Sequence, residues 1–225
     1  MLKVIVFDLD DTLYPEPTFV RSGFAAVDEW CRSELGLEGF YETACRVYQT
    51  GVRGRIFNQA LEQLGTVANE VLIGEMVAVY RGHQPRIALY NDARWVLNRF
   101  QTQYRLGLIT DGDWKTQQNK VDALQIASFF DVLVLTDFYG RNCWKPAEFP
   151  YRKVMTALEC QGTECVYVGD NPHKDFITAK LLGWRTVRVR REGAEYAALQ
   201  FDEQYEAEVA ITSLWDLPEF IEGLI

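Results

Sequence analysis

The sequence has no surplus of positive charge, no cysteine pairing pattern and no long apolar run, and each absence excludes a class of function. Its 225 residues hold 23 lysines and arginines against 32 aspartates and glutamates, a formal net charge of −9. A duplex nucleic-acid binder needs a basic footprint to displace counterions, so no nucleic-acid partner is expected. The same balance disfavours attachment to anionic membranes. Cys31, Cys45, Cys143, Cys160 and Cys165 are odd in number and scattered, with no C-x-x-C pair. Disulfide scaffolds and zinc sites need closer, more regular spacing, so these read as reduced, packed thiols. The apolar run at residues 2–7 is too short to span a membrane and lacks a signal-peptide cleavage site. A cytoplasmic protein without a membrane partner is the expectation. No repeat, low-complexity tract or long linker interrupts the chain.

What is present suffices for a packed core: 48% of residues are hydrophobic and 13% aromatic. Short β-branched runs at residues 3–8, 105–110, 131–135, 165–169 and 185–189 have the length and composition of strands buried on both faces. Helical stretches lie between them. Asn91 and Asp113 stand where helix caps belong, and further helices are expected over residues 149–158 and 175–182. This alternation predicts an α/β fold, a doubly wound Rossmann-like parallel sheet covered by helices on both sides. Residues 15–89 break the rhythm with helical spacing only, punctuated by glycines. The chain therefore divides into a core of residues 1–14 and 90–225 and an α-helical insert of residues 15–89.

Ligands of an open parallel sheet bind beyond the carboxyl ends of its strands. There the apolar runs give way to Asp8-Leu9-Asp10-Asp11, Thr110-Asp111-Gly112, Trp144-Lys145-Pro146 and Gly169-Asp170, with Asp175 following. Carboxylates clustered this closely repel unless a cation or protons intervene, and their oxygens suit Mg²⁺. Lys145 supplies a point charge for phosphate.

On these residues the chain resembles the haloacid dehalogenase superfamily, in the phosphatase branch with an α-helical cap inserted after the first motif. D-x-D-x-T is matched by Asp8, Asp10 and Thr12, the second motif by Thr110, the third by Lys145, and the fourth by Gly169, Asp170 and Asp175. The resemblance implies a Mg²⁺-dependent phosphatase acting on a small phosphate monoester, such as a sugar phosphate or nucleoside monophosphate. Asp8 would be the nucleophile that forms an aspartyl-phosphate, and Asp10 the general acid/base. Thr110 and Lys145 would bind the phosphoryl group, with the backbone N–H groups of Leu9 and Asp111 as further donors. Mg²⁺ would be held by Asp8, the Asp10 backbone carbonyl and Asp170, with Asp175 in its outer shell or holding Lys145. Asp10 can act as an acid only if its pKa lies well above that of Asp8.

Asp10 also discriminates within the family. The dehalogenase branch lacks this aspartate, and phosphonate-cleaving relatives need a cap lysine, whereas residues 15–89 contain none. A phosphomutase of the same fold and a catalytically quiet binding protein are the alternatives. Arg53 and Arg55, in a glycine-flanked turn of the insert, are candidates for binding a second part of the substrate. His83 is expected at the surface and His173 in a loop. Arg185, Arg188, Arg190 and Arg191 are expected along an edge strand beside an acidic tail. Oligomeric state is not readable.

Overall fold

The structure, a computed structural model, describes residues 1–223. The chain opens with β1 (Val4–Phe7) and then runs through four helices, α1 (Glu16–Leu35), α2 (Phe40–Gln49), α3 (Ile56–Gln63) and α4 (Glu70–Gly82). It continues as α5 (Asn91–Phe100), β2 (Arg105–Thr110), α6 (Trp114–Leu124), β3 (Val132–Leu135) and α7 (Phe149–Ala157). The last elements are β4 (Cys165–Gly169), α8 (Ile177–Leu181), β5 (Arg185–Val189), β6 (Val209–Ile211) and α9 (Leu217–Glu222). The six strands form one sheet in the order β3-β2-β1-β4-β5-β6, and every pairing is parallel. The fold is thus α/β and Rossmann-like. Among the described residues no helix is long and apolar enough to cross a membrane.

Val4 to Phe7 are all buried, as a central parallel strand with helices on both faces requires. On one face Val4, Val6, Ile109, Val134, Tyr151, Val154, Tyr167 and Trp184 form a continuous apolar cluster. Gly107 sits tightly between its neighbouring strands, since a Cβ there would lie 3.1 Å from Val6 and 3.3 Å from Val132.

β6 is absent from the sequence-based expectation, which ends the sheet at β5. The three-residue run Val209–Ile211 is too short to read as a strand, yet it pairs Val187 with Val209 and Val189 with Ile211. β5 is therefore not an edge, and of its two arginines only Arg185 is exposed, paired with Glu208. Arg188 is fully buried: its Nη1 donates to Glu206 at 2.7 Å and its Nη2 to the Tyr196 carbonyl at 2.6 Å. Arg191 is buried too and donates to Asp92 at 2.7 Å.

The chain separates into two compact units, Met1–Glu16 with Ala88–Ile225, and Pro17–Ile87. The smaller unit is all helical and has its own core of Phe24, Val27, Cys31, Phe40, Leu61 and Met76. Gly39 opens α2 at φ 81° without a side-chain cap. Asp28 of α1 substitutes for one, accepting the Tyr41 N–H at 3.0 Å. His83 belongs to this interior and not to the surface: its Nδ1 meets the Tyr80 carbonyl at 2.6 Å and its Nε2 the Ser22 hydroxyl at 3.1 Å. In the larger unit the chain crosses itself where the insert leaves and returns. There the Tyr90 N–H donates to the Leu13 carbonyl at 3.0 Å.

Candidate active site

The tips of β1, β2 and β4 lie side by side, because these strands are neighbours in the sheet. The Asp8 N–H continues the ladder to the Val168 carbonyl at 2.8 Å, which fixes the direction in which the β1 chain leaves the sheet. Leu9 is fully buried, and the side chains either side of it face polar surroundings. Asp11 takes a left-handed turn at φ 52°, and its Oδ1 accepts the Glu16 N–H at 2.9 Å, so it is a turn residue.

Lys145 organises the site. Its fully buried ammonium donates to Asp8 Oδ1 at 2.6 Å, Asp175 Oδ1 at 2.7 Å and the Tyr167 hydroxyl at 2.8 Å. All three of its protons are thereby used. Burial works against its charge, but the carboxylates of Asp175 and Asp8 outweigh that and hold its pKa well above the usual lysine value. Asp175 Oδ2 accepts the Asn171 N–H at 3.0 Å. Gly169 makes room for this carboxylate, since a Cβ there would lie 2.4 Å from Asp175 Oδ2. That use of Asp175 also explains why α8 starts at Ile177 and not at residue 175, where helical spacing placed it.

Oxygens of Asp8, Asp170 and Asp175, all buried, lie within 4.8 Å of one another. The Asp170 carboxylate makes no hydrogen bond or ion pair among the described residues. Burial pushes Asp8 up to about 7 against the opposing pull of Lys145, with Asp175 adding to the rise. Burial, then the charges of Asp8 and Asp175, push Asp170 well above the carboxylate range. Three buried carboxylates, two of them bonded to one ammonium, leave an excess of negative charge. An all-oxygen donor set of this kind fits a hard divalent cation such as Mg²⁺.

Asp10 sits outside that cluster and has a different set of partners. Its Oδ1 accepts from Lys120 Nζ at 2.7 Å and from the Tyr14 hydroxyl, and its Oδ2 accepts from Gln117 Nε2 at 2.9 Å. The same Gln117 nitrogen donates to the Thr110 hydroxyl oxygen. Burial opposes ionisation of Asp10, but the charge and hydrogen bond of Lys120, with those of Tyr14 and Gln117, outweigh it and hold the carboxyl below its ordinary value. The resemblance asks for Asp10 to titrate above Asp8; with no cation at the acidic cluster, burial raises Asp8 while Lys120, Tyr14 and Gln117 hold Asp10 down.

Asp111 neither faces the phosphate position as a bare charge nor caps α6. Its Oδ1 accepts from the Thr136 hydroxyl at 2.7 Å and the Lys145 N–H at 3.1 Å, and Lys174 Nζ lies 3.1 Å from its Oδ2. The α6 cap is Asp113, which accepts the Thr116 N–H at 3.0 Å. Asp8, Asp10, Asp111, Asp170, Trp144 and Lys174 line a cavity of about 210 Å³.

The structure thus gathers Asp8, Leu9, Asp10, Thr110, Asp111, Lys145, Asp170 and Asp175 around the tips of the central strands. Arg53 and Arg55 belong to the helical unit, between α2 and α3. The Arg53 guanidinium lies 4.1 Å over the Tyr48 ring and donates to the Tyr48 carbonyl at 3.1 Å, and Arg55 is exposed. The sequence places Tyr14 only as a candidate for the pocket wall, not as a partner of Asp10, and sequence reasoning missed Gln117, Lys120 and Lys174. A signal existed for two of them: Gln117 and Lys120 are three residues apart on the helix face that also carries Val121 and Leu124, where apolar residues belong. His173 is a loop residue, its ring 4.3 Å from that of Phe201.

Comparison with known proteins agrees with this geometry. The haloacid dehalogenase-like hydrolase family model matches residues 5–189. A glyceraldehyde 3-phosphate phosphatase of Pyrococcus abyssi is 31% identical over 198 residues, 83% of this chain and 81% of that protein. A ribulose-1,5-bisphosphate 5-phosphatase of Halopiger xanaduensis is 27% identical over 206 residues, covering 83% of this chain and 84% of its own. Among solved structures, a 2-haloacid dehalogenase from Pseudomonas syringae superposes over 100% of both chains with a TM-score of 0.70 at 23% identity, a likeness of fold alone. The chain belongs to the haloacid dehalogenase-like hydrolase family, as one of its phosphatases.

Proposed function

We propose that this phosphatase is Mg²⁺-dependent and hydrolyses a small phosphate monoester through an aspartyl-phosphate on Asp8, with Asp10 as general acid/base. One observation carries the reading: two carboxylates only two residues apart have separate partners. Asp8 joins Lys145 and the acidic cluster, whereas Asp10 joins Lys120, Gln117 and Tyr14. Nucleophilic attack needs Asp8 ionised, which Mg²⁺ at the acidic cluster would favour, and proton transfer needs Asp10 to gain a proton against the pull of Lys120.

In the first step an Asp8 oxygen bonds to phosphorus as the bond from phosphorus to the ester oxygen breaks, and the departing oxygen takes a proton from Asp10. In the second, a water oxygen bonds to phosphorus, its proton passes to the Asp10 carboxylate, and the bond between Asp8 and phosphorus opens. Inorganic phosphate and free Asp8 result. The Thr110 hydroxyl and the N–H groups of Leu9 and Asp111 hold the phosphoryl oxygens, and Lys145 turns to them the N–H that it gives to Asp8 in the free protein, stabilising charge during transfer. Asp8, Asp170 and the Asp10 backbone carbonyl, with Asp175, would hold Mg²⁺, which when bound would supply charge neutralisation at those oxygens.

A cavity of about 210 Å³ suits a small ester of the sugar-phosphate or nucleoside-monophosphate class. The helical unit is read as the cap, with Arg53 and Arg55 as its substrate-binding residues. Five free cysteines fit a reducing, cytoplasmic setting. The test is phosphate release from a panel of sugar phosphates and nucleoside monophosphates. Activity lost in EDTA and restored by Mg²⁺, together with an inactive Asp8→Asn variant, supports the reading. Unchanged turnover in Asp8→Asn overturns it.

A further inference from the structure

α6 delivers two buried donors to the carboxylate of Asp10. Lys120, 4% exposed, and Gln117, 1% exposed, reach it across 110 and 107 residues of chain. Their spacing of three puts both side chains on one helix face, and the Asp113 cap holds the first turn of that helix against the tip of β2. Lys120 takes Oδ1 and Gln117 takes Oδ2, so rotation about both side-chain bonds of Asp10 is restrained. Tyr14, from the same loop as Asp10, adds a second donor on Oδ1. Gln117 does more than hold the carboxylate. Because its amide nitrogen also donates to Thr110, it ties Asp10 to the hydroxyl expected to bind the phosphoryl group.

Resting on the phosphatase reading above, we infer that Lys120 and Gln117 are positioning residues that aim the Asp10 carboxylate at the ester oxygen of the substrate. A general acid must lie within hydrogen-bond reach of the atom it protonates, and an unrestrained aspartate at a cavity wall spends most of its time elsewhere. A purely structural ion pair would support the whole site alike, whereas an aiming device matters only when a proton has to move.

Leaving groups separate the two cases. p-Nitrophenolate departs as a stable anion and needs no proton, whereas the alkoxide of glyceraldehyde 3-phosphate does. The experiment compares wild type, Asp10→Asn, Lys120→Met and Gln117→Met in single-turnover reactions with both esters, measuring the release of alcohol or phenol from the first step. Gln117→Met removes no charge and serves if Lys120→Met fails to fold. The expected result is a loss of about 10- to 100-fold on the alkyl ester, a part of the 10²–10⁴ that general acid catalysis contributes. The p-nitrophenolate burst should stay within about 3-fold of wild type, the pattern of Asp10→Asn in weaker form. Equal losses on both esters, or no loss on either, overturn the positioning role. Where the panel yields a better alkyl phosphate it takes the place of glyceraldehyde 3-phosphate; a wild type that hydrolyses no ester of the panel overturns the proposed function, and this inference with it.

Discussion

Oδ1 of Asp111 accepts the backbone N–H of Lys145 at 3.1 Å, so the residue after Thr110 at the β2 tip fixes the main chain of the lysine that reaches Asp8. The Thr136 hydroxyl donates to the same oxygen at 2.7 Å, and Lys174 neutralises the other. Ala at position 111 leaves these donors without their partner. Asp111→Ala is expected to lower unfolding stability by about 2–3 kcal/mol, measured by urea denaturation. Asp111→Asn keeps one acceptor oxygen and should lose about half as much.

The acidic cluster trades stability for chemistry. Asp8, Asp170 and Asp175 repel one another around a single ammonium. Asp8→Asn and Asp170→Asn should therefore each raise the melting temperature of the metal-free protein while abolishing phosphate release. Thermal unfolding in EDTA gives the first readout and a phosphate assay the second.

Metal binding should be visible without turnover. Mg²⁺ at about 100 times its dissociation constant is expected to stabilise the folded protein by roughly 2.7 kcal/mol. In Asp170→Asn that increment should disappear. Calorimetric titration of the two proteins with MgCl₂ checks it.

Asp92 governs an acid-labile joint. Its Oδ2 accepts from Arg191 at 2.7 Å, the Ser213 hydroxyl at 2.6 Å and the Leu214 N–H at 2.8 Å. Burial disfavours its charge, but these bonds outweigh burial and hold the carboxyl below its ordinary value. A folded-state pKa below the unfolded one means the stabilisation is complete above about pH 4 and is lost as pH falls through the folded value. Asp92→Asn should flatten the acid limb of a melting-temperature curve taken from about pH 6 down to pH 3.

Gly169→Ala places a methyl 2.4 Å from Asp175 Oδ2 and must displace that carboxylate from Lys145. A destabilisation of about 1–3 kcal/mol is expected, together with lower activity. Chemical denaturation and the phosphate assay report the two effects.

The parts of the molecule legible in the sequence are those encoded locally. β1, β2 and β4 are continuous apolar runs ending in polar residues, so both the sheet and the location of its chemistry follow from short windows. Long-range pairs left no such mark. Lys120 and Gln117 stand out only as polar residues on the apolar face of α6, and nothing near them in the chain points to Asp10. Arg188 and Arg191 look solvated until Glu206 and Asp92 arrive from distant segments. β6 is three residues long, below what hydropathy resolves. His83 reads as a surface residue because its neighbours Arg81, Gly82 and Pro85 suggest a turn, whereas its ring nitrogens meet the Tyr80 carbonyl and the Ser22 hydroxyl.

The hydrogen bond from Tyr90 to Leu13 joins the point where the chain leaves the sheet unit to the point where it returns. The segment between them is therefore grafted at one locus, much as a cutting is set into a stem. The sheet unit closes on itself at that seam, and the helical unit has its own apolar interior. Exchanging residues 17–87 would therefore remove none of the side chains gathered at the strand tips.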